Sequence, residues 1–491
     1  MKFTAKKISL LIVPTLLLTL TTSQISNAQF VEDALRFINP NSVLSARTGA
    51  LGYAYFGFSD DASAISYNPA GLTLVPSCEM ALGTNFSSNS TTTNFLDNQQ
   101  SRSEKNFYFT NVQFVIPSIN NSNALNVRYG FAYCVENDFD ANSRYNGYNR
   151  NNTFIAQQAA ERREWTYETY LADIVNGIYI TGINKDIQQD GFITEKGGLH
   201  NLAWGAAIDF FKNFTIGGTL IAKIGSYDFR RSYFENDINN VHNENPNDLN
   251  ILTVKDRLTQ DIAGLSGIIG FQARDSKTNM RFGLAIKFPT LLSISERWSS
   301  SYEAEFDPFE GKIDVNTFNT GEFSQDYMII TPAEYSFGFA GNAAGLSYSL
   351  SLGFKDVSNA SFISRSENKS FEDLIYFDDL NEQINNNLTG QFIIGAGLEY
   401  KIPTVPIYAR GSYTLITSPY KSKEYASNEY AIGMGVGMLF TDNFIFDCAL
   451  VYSNHTERRA NYGNASNPSL YSYYTAEISP MKFLLGFRVR F

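Results

Sequence analysis

The chain has 491 residues, a formal net charge of −11, 29 tyrosines and 39 phenylalanines, and only 18% charged residues. An acidic chain without a basic stripe excludes a nucleic-acid partner. Cys78, Cys134 and Cys448 are too scattered for a disulfide framework, and His200, His242 and His455 lack metal-ligand spacing, so neither metal nor cofactor is expected.

Residues 1–28 read as an export signal, because Lys2, Lys6 and Lys7 precede an apolar run from Ile8 to Leu20 and Ser26–Ala28 offers small residues for cleavage. Beyond it no apolar run approaches the ~20 residues of a spanning helix. The exported chain is therefore soluble or a barrel.

Residues 29–77 come before the first strand, and their length matches no hairpin. They read as a hatch, or plug. Within them Asp60–Leu72 is "DDASAISYNPAGL". Asp60 or Ser59 would cap a short helix over Ala62–Ser66. Pro69 disfavours the helical conformation at Asn68, and Gly71 tolerates a positive φ.

Residues 78–491 carry period-two alternation. "QFIIGAGLEYK" sets Phe392, Ile394, Ala396, Leu398 and Tyr400 against Gly395, Gly397, Glu399 and Lys401. "EYAIGMGVGMLF" does the same, and in "MKFLLGFRVRF" Phe483, Leu485, Phe487, Val489 and Phe491 oppose Lys482, Gly486, Arg488 and Arg490. Strands are expected near 79, 106, 125, 200, 214, 260, 279, 325, 345, 389, 404, 429, 443 and 475. The connections after even strands are short, such as "TDN" and "DSKTN", and those after odd strands are long and rich in Asn and Ser. That layout is a transmembrane antiparallel β-barrel of about fourteen strands, an all-β fold whose lumen is too wide for wall side chains alone to fill. The N-terminal hatch would fill it. Within the long outer loop 138–199, Tyr167, Tyr170, Leu171, Ile174 and Ile178 recur at helical spacing, so an amphipathic helix is expected there. It is either a landing site for apolar ligand or a lid folded back on the rim.

"DDASAISYNPAGL" resembles the hatch signature of the FadL-type outer-membrane transporters of long-chain fatty acids and other hydrophobic compounds, a family that includes the TodX-like aromatic-hydrocarbon channels. Asn68, Pro69 and Ala70 match the Asn-Pro-Ala core. "TPAEYSFGFA" from Thr331, "GLEYKI", "RGSYTLITSPY" from Arg410 and "VGMLFTDNFIFDCALVY" from Val436 are similar to that family's second half. The resemblance implies a monomeric outer-membrane channel whose partners are a hydrophobic small molecule and membrane lipid. Ligand would be captured by outer loops and released sideways as the hatch, with Asp60, Asp61, Asn68, Pro69, Ala70 and Gly71, shifts. The Asn-Pro-Ala turn is then either the gate or a static plug. Strand phasing points Arg128, Lys223, Arg281, Lys287, Arg410 and Arg488 inward, where they either meet an anionic headgroup or lock the hatch by pairing with Asp60, Asp61, Glu399 and Asp447. A general diffusion porin or a purely structural barrel is the alternative, and without a catalytic constellation no enzyme is expected.

Overall fold

The computed structural model describes residues 31–39, 43–118, 126–211, 213–243, 248–275, 277–310, 312–365, 371–441, 443–462 and 468–491. The export signal lies outside the described residues. Fourteen antiparallel wall strands follow in chain order: β1 (Glu79–Phe95), β2 (Asn98–Pro117), β3 (Val127–Asp138, continued by Ala141–Asn149), β4 (Ile187–Phe211), β5 (Phe214–Asn236), β6 (Leu249–Asp275), β7 (Met280–Lys287 and Leu291–Phe309), β8 (Lys312–Ile330 and Glu334–Ala343), β9 (Leu346–Asp356 and Ser361–Ser364), β10 (Gly390–Lys401), β11 (Ile407–Ile416), β12 (Glu429–Thr441), β13 (Phe444–Tyr462) and β14 (Ser472–Arg490). The interruptions of β7 and β8 hold Pro289 and Pro332, residues that cannot donate to a ladder.

β14 pairs with β1 from Glu79↔Arg490 to Asn94↔Thr475, which closes the sheet. The backbone N–H of Phe491 donates to Cys78 O at 3.1 Å, so the ends of the barrel meet on the rim that carries the short turns. The expected parity holds. On β10, Phe392, Ile394, Leu398 and Tyr400 face outward while Gln391, Ile393 and Glu399 are buried inside. On β14, Phe483, Phe487 and Val489 face outward, and Lys482, Leu484 and Arg488 are buried.

On β5 the outward apolar residues run from Phe214 through Ile216 and Leu220 to Ile224. At ~3.3 Å per residue and a tilt near 40° this belt is about 25 Å tall. β4, β5 and β6, with 25, 23 and 27 residues, far exceed the ~9–11 residues that cross such a belt, so their outer halves stand beyond it.

One seam is incomplete. β2 pairs with β3 only from Asn111↔Cys134 to Pro117↔Arg128. Further out, β2 pairs with β1 alone, while β3 shifts register against β4 between Val135 and Asn137 and continues as Ala141–Asn149 beside β4.

The chain before β1 lies inside the barrel: helices α1 (Val31–Ile38), α2 (Ala46–Leu51), α3 (Tyr55–Phe58) and α4 (Ala64–Tyr67), then a 3-10 turn over Pro69–Leu74. α2 starts with a reciprocal Ser45/Thr48 capping box. Ala62, Ala64, Ile65 and Leu72 pack on Val115, Ala203, Ile221 and Ile268 of the wall. Ala34, Phe37 and Ile38 of α1 form a separate core higher in the lumen, with Phe139, Leu199, Tyr227 and Leu258.

The expected amphipathic helix over residues 167–178 does not form, and 138–199 is not one long loop. Much of it is strand. The remainder holds α5 (Phe154–Ala160), α6 (Glu164–Glu168) and a small hairpin that pairs Asp173–Val175 with Ile178–Ile180. The reason is Asn176-Gly177, both at positive φ, a hairpin turn flanked by β-branched residues. α7 (Phe371–Asn387) sits in the connection between β9 and β10 and packs Phe377, Leu380 and Ile384 into the core around α1.

Candidate functional site

The Asn-Pro-Ala turn is seated against glycines on three adjacent strands. A Cβ at Gly217 of β5 would lie 2.5 Å from the Ala70 nitrogen, one at Gly270 of β6 2.1 Å from Asn68 Oδ1, and one at Gly283 of β7 2.9 Å from Asn68 Nδ2. Asn68 Oδ1 accepts from Ala70 N–H at 3.2 Å, and its Nδ2 donates to Phe271 O at 3.2 Å. Pro69 opens the 3-10 turn, where a missing N–H costs nothing. Gly71 departs from expectation: it is not among the positive-φ residues, and that role falls to Ser59, at φ 34°. What demands glycine at 71 is proximity, because a Cβ there would lie 1.8 Å from Ser59 O. Asp60 and Ser59 do not cap the following helix. Instead Asp61 Oδ1 accepts from Ser63 N–H at 2.9 Å and from the Tyr55 hydroxyl at 2.6 Å.

The two hatch aspartates belong to an ion cluster that ties plug to wall. Arg47, in α2, reaches Asp60 at 2.5 Å, Asp61 at 2.9 Å and Glu399 of β10 at 3.1 Å. Arg281 of β7 reaches Asp60 at 2.9 Å. Arg488 of β14 reaches Asp61 at 3.3 Å and Asp447 of β13 at 2.9 Å, and Arg410 of β11 reaches Glu399 at 2.6 Å and Asp447 at 2.5 Å. Four guanidiniums thus face four carboxylates. Burial alone would raise the Asp60 carboxyl, but Arg47 and Arg281 hold it well below the usual carboxylate range.

The other inward cations divide. Arg128 donates to Val75 O at 3.1 Å and Pro76 O at 3.4 Å, fastening the exit of the hatch. Lys223 and Lys287 share Glu136 of β3; Lys287 does so at 2.9 Å. All six predicted cations therefore turn inward, and five pair with carboxylates. Of the six, Lys287 lines the cavity above the hatch.

That cavity has a volume of about 1420 Å³. Its floor includes Thr48, Gly52, Tyr53 and Phe56 of the hatch, and its wall includes Tyr227, Phe229, Trp298 and Ile393. Phe154, Gln157 and Arg163 of the outer segment line its mouth, and Asn89, Thr91, Glu136 and Asn137 line the side next to the incomplete β2–β3 seam. Lys355, which donates to Ile38 O at 3.0 Å, lies on the same lumen surface. Of the outer-loop residues, Leu171 is buried in the outer core with Phe154 and Trp165, whereas Tyr167, Tyr170, Ile174 and Ile178 are exposed. The loop residues do not act as one face.

Sequence reasoning missed Arg47 and Glu136. Arg47 left a signal, as a lone cation in the otherwise uncharged stretch "SVLSARTGALGYAYFGF".

These features define a fourteen-stranded β-barrel closed by its own N-terminal segment, with a cavity between that segment and the outer loops. No protein-family model and no curated protein matches the sequence. The fold matches solved structures. A FadL homologue from Pseudomonas aeruginosa superimposes with a TM-score of 0.58 at 12% identity, covering 92% of this chain and 100% of that one. The P. putida toluene transporter TodX superimposes with a TM-score of 0.52 at 11% identity, covering 88% and 94%. At these identities the likeness establishes the fold.

Proposed function

We propose that the chain is an outer-membrane uptake channel for long-chain fatty acids or other hydrophobic compounds, acting as a monomer and without catalysis. The observation that carries this reading is the cavity of about 1420 Å³, bounded below by the hatch and reaching the incomplete β2–β3 seam at Asn89, Thr91 and Glu136. Ligand enters among the outer loops, settles against Tyr53, Phe56, Tyr227 and Trp298, and leaves sideways when the hatch turn Asn68–Gly71 shifts against the anchored Asp60 and Asp61. Lateral release spares an alkyl chain the ~0.8 kcal/mol per methylene of returning to water. The solved channels of the same fold support the reading, since those named are a FadL homologue and a toluene transporter.

Two features favour an amphipathic ligand over a plain hydrocarbon. Lys287 and Lys355 line the cavity together with Glu136 and Glu334, so a polar headgroup there finds charged partners of both signs. Beside the seam the inner wall is polar, with Asn85, Ser87, Asn111 and Gln113 all buried. The test is uptake of labelled oleate by cells lacking their own transporter and expressing this chain, with outer-membrane abundance measured in parallel. Uptake no faster than in empty-vector cells, at full abundance, rejects the reading.

A further inference from the structure

The outer halves of β4, β5 and β6 carry a second feature on their outward-facing parity, bordering the cavity at Arg257 and at Ser299 of β7. The outward parity of Leu220 and Ile224 on β5 and Leu265 on β6 continues upward into charged residues. Lys196 on β4, Arg230 on β5, and Lys255 and Arg257 on β6 all point away from the lumen. The register makes them neighbours: Lys196 lies opposite Asp228, and Arg230 lies opposite Arg257. Like charges directly across two strands oppose pairing. Here they are relieved by one carboxylate, Asp228, which reaches Arg230 at 2.8 Å and Arg257 at 3.3 Å. Four cations thus meet one anion, in a chain whose net charge is −11.

Both guanidiniums remain open to solvent, with side chains 63% and 58% exposed. The adjoining Arg297–Asp261 pair, at 3.2 Å, is self-neutralised. Acidic residues resume on β7 and β8 at Glu303, Glu322 and Asp326, which bound the patch. Where β8 bulges at Thr320–Gly321 opposite Ser300 of β7, a shallow cleft of about 370 Å³ opens, lined by Arg230, Lys255, Arg257, Ser299 and Asn319 and by one carboxylate, Asp256, which Arg231 neutralises at 2.7 Å. Cations beside a hydroxyl and an amide form a donor-rich surface suited to phosphate.

Its height identifies the occupant. Arg230 lies six residues beyond Ile224, or ~20 Å along the strand and about 15 Å above the apolar belt at a tilt near 40°. A side chain reaching back down from there enters the zone of lipid headgroups. We propose that this outward face binds the phosphate groups of a phosphorylated glycolipid in the outer leaflet, orienting the barrel among its neighbours. The inference rests on the strands crossing a membrane, but not on what the lumen carries.

The test uses the full chain folded in detergent micelles and titrated with diphosphoryl lipid A or its dephosphorylated form, bound lipid being counted by native mass spectrometry. At roughly fivefold per juxtamembrane cation, the variant R230Q/K255Q/R257Q should bind the diphosphoryl lipid on the order of 100-fold more weakly than wild type. R230K/R257K, which keeps the charges, should stay within a few fold, and neither variant should change binding of the dephosphorylated lipid. Heat-modifiable gel mobility checks that each barrel is folded. Equal affinity of wild type and the triple variant, or equal affinity for the two lipids, overturns the proposal. Outer-membrane fractionation of the same cells tests membrane placement separately.

Discussion

Replacing Arg47 with Met should make the barrel leak. Arg47 is the single hatch cation in the ion cluster, within 3.1 Å of Asp60, Asp61 and Glu399. Its removal leaves four carboxylates facing three guanidiniums in a buried site, and breaking a buried pair in this way costs about 3–5 kcal/mol. The cost cannot fall on the barrel, whose strands are held by ladders that do not involve the hatch. It falls on docking of the plug. About 3 kcal/mol raises the undocked population by roughly 100-fold, and a fourteen-stranded wall with its plug displaced encloses a water-filled passage. The assay is single-channel conductance in planar bilayers, alongside heat-modifiable gel mobility as proof of a closed barrel. Wild type should be nearly silent, whereas Arg47→Met should open frequently. Arg47→Lys should leak as well, because a point charge cannot bridge three carboxylates as a planar fork does. Adding Glu399→Gln to Arg47→Met removes one excess carboxylate and should restore part of the silence. A folded Arg47→Met barrel as quiet as wild type refutes the idea that the cluster holds the plug.

Three further outcomes are expected. Asn68→Ala removes the bonds to Ala70 N–H and Phe271 O, each worth about 1 kcal/mol; uptake of labelled fatty acid should change while outer-membrane abundance does not, and unchanged uptake leaves the turn a static plug. Gly217→Val forces a side chain into the space filled by Pro69 and Ala70 and should expose hatch residues to limited proteolysis without unfolding the wall. The third concerns Glu235, at the outer end of β5, which accepts from Phe154 N–H at 2.6 Å and from Gln189 at 2.8 Å; burial pushes its carboxyl up to about 7. A raised carboxyl prefers to be protonated in the folded state, so its contribution is full below the unfolded value near 4.5 and is lost as pH rises through about 7, by at most about 3 kcal/mol. Hydrogen exchange of α5 should therefore quicken between pH 5 and 8 beyond its intrinsic rise, and Glu235→Gln should remove the excess; an unaltered pH profile in that variant refutes the assignment.

The wall was legible because every strand residue faces one of two media, and period-two parity records which. Phe392 and Ile394 outside, with Glu399 inside, needed no tertiary information. The interior was legible only in part. The inward direction of Arg410 and Arg488 follows from parity, and Asp61, Glu399 and Asp447, expected from the sequence as hatch-locking partners, are the carboxylates they meet. The part of Arg47 was not legible, because Arg47 and Glu399 are separated by 352 positions in sequence and only folding of the N-terminal segment into the barrel brings them together. Gly71 suggests a conformational need in the sequence but answers a steric one, since a sequence names the residue and not the Ser59 carbonyl beside it. The segment 167–178 holds two signals in competition. Its apolar spacing suited a helix, yet Asn176-Gly177 is a stronger local signal, because few other pairs accept positive φ at two successive positions.

The hatch is held unequally on its two sides, and this bears on how a plug can be both tight and movable. On the side of β10, β11, β13 and β14 it is tied by six charges, Arg47 and Asp61 of the hatch and Glu399, Arg410, Asp447 and Arg488 of the wall, whose separation would leave buried ions uncompensated. On the side of β3 to β6 no ion pair among the described residues ties it: Thr219 donates to Ile65 O at 2.8 Å, Asn68 to Phe271 O, Ile65 and Leu72 rest on Gly130, and the cation Arg128 donates to the backbone carbonyls of Val75 and Pro76 at the end of the hatch. The incomplete β2–β3 seam belongs to this side. A ligand entering there must displace bonds worth about 1 kcal/mol each rather than ion pairs worth several. The ion cluster is thus the anchor, and the Asn-Pro-Ala turn the part able to yield. The two variants should consequently differ in kind. Loss of Arg47 frees the whole plug and admits ions, whereas loss of the Asn68 amide alters passage of ligand with conductance still low. If Asn68→Ala leaks as freely as Arg47→Met, the hatch moves as one rigid body and the division into anchor and gate is wrong.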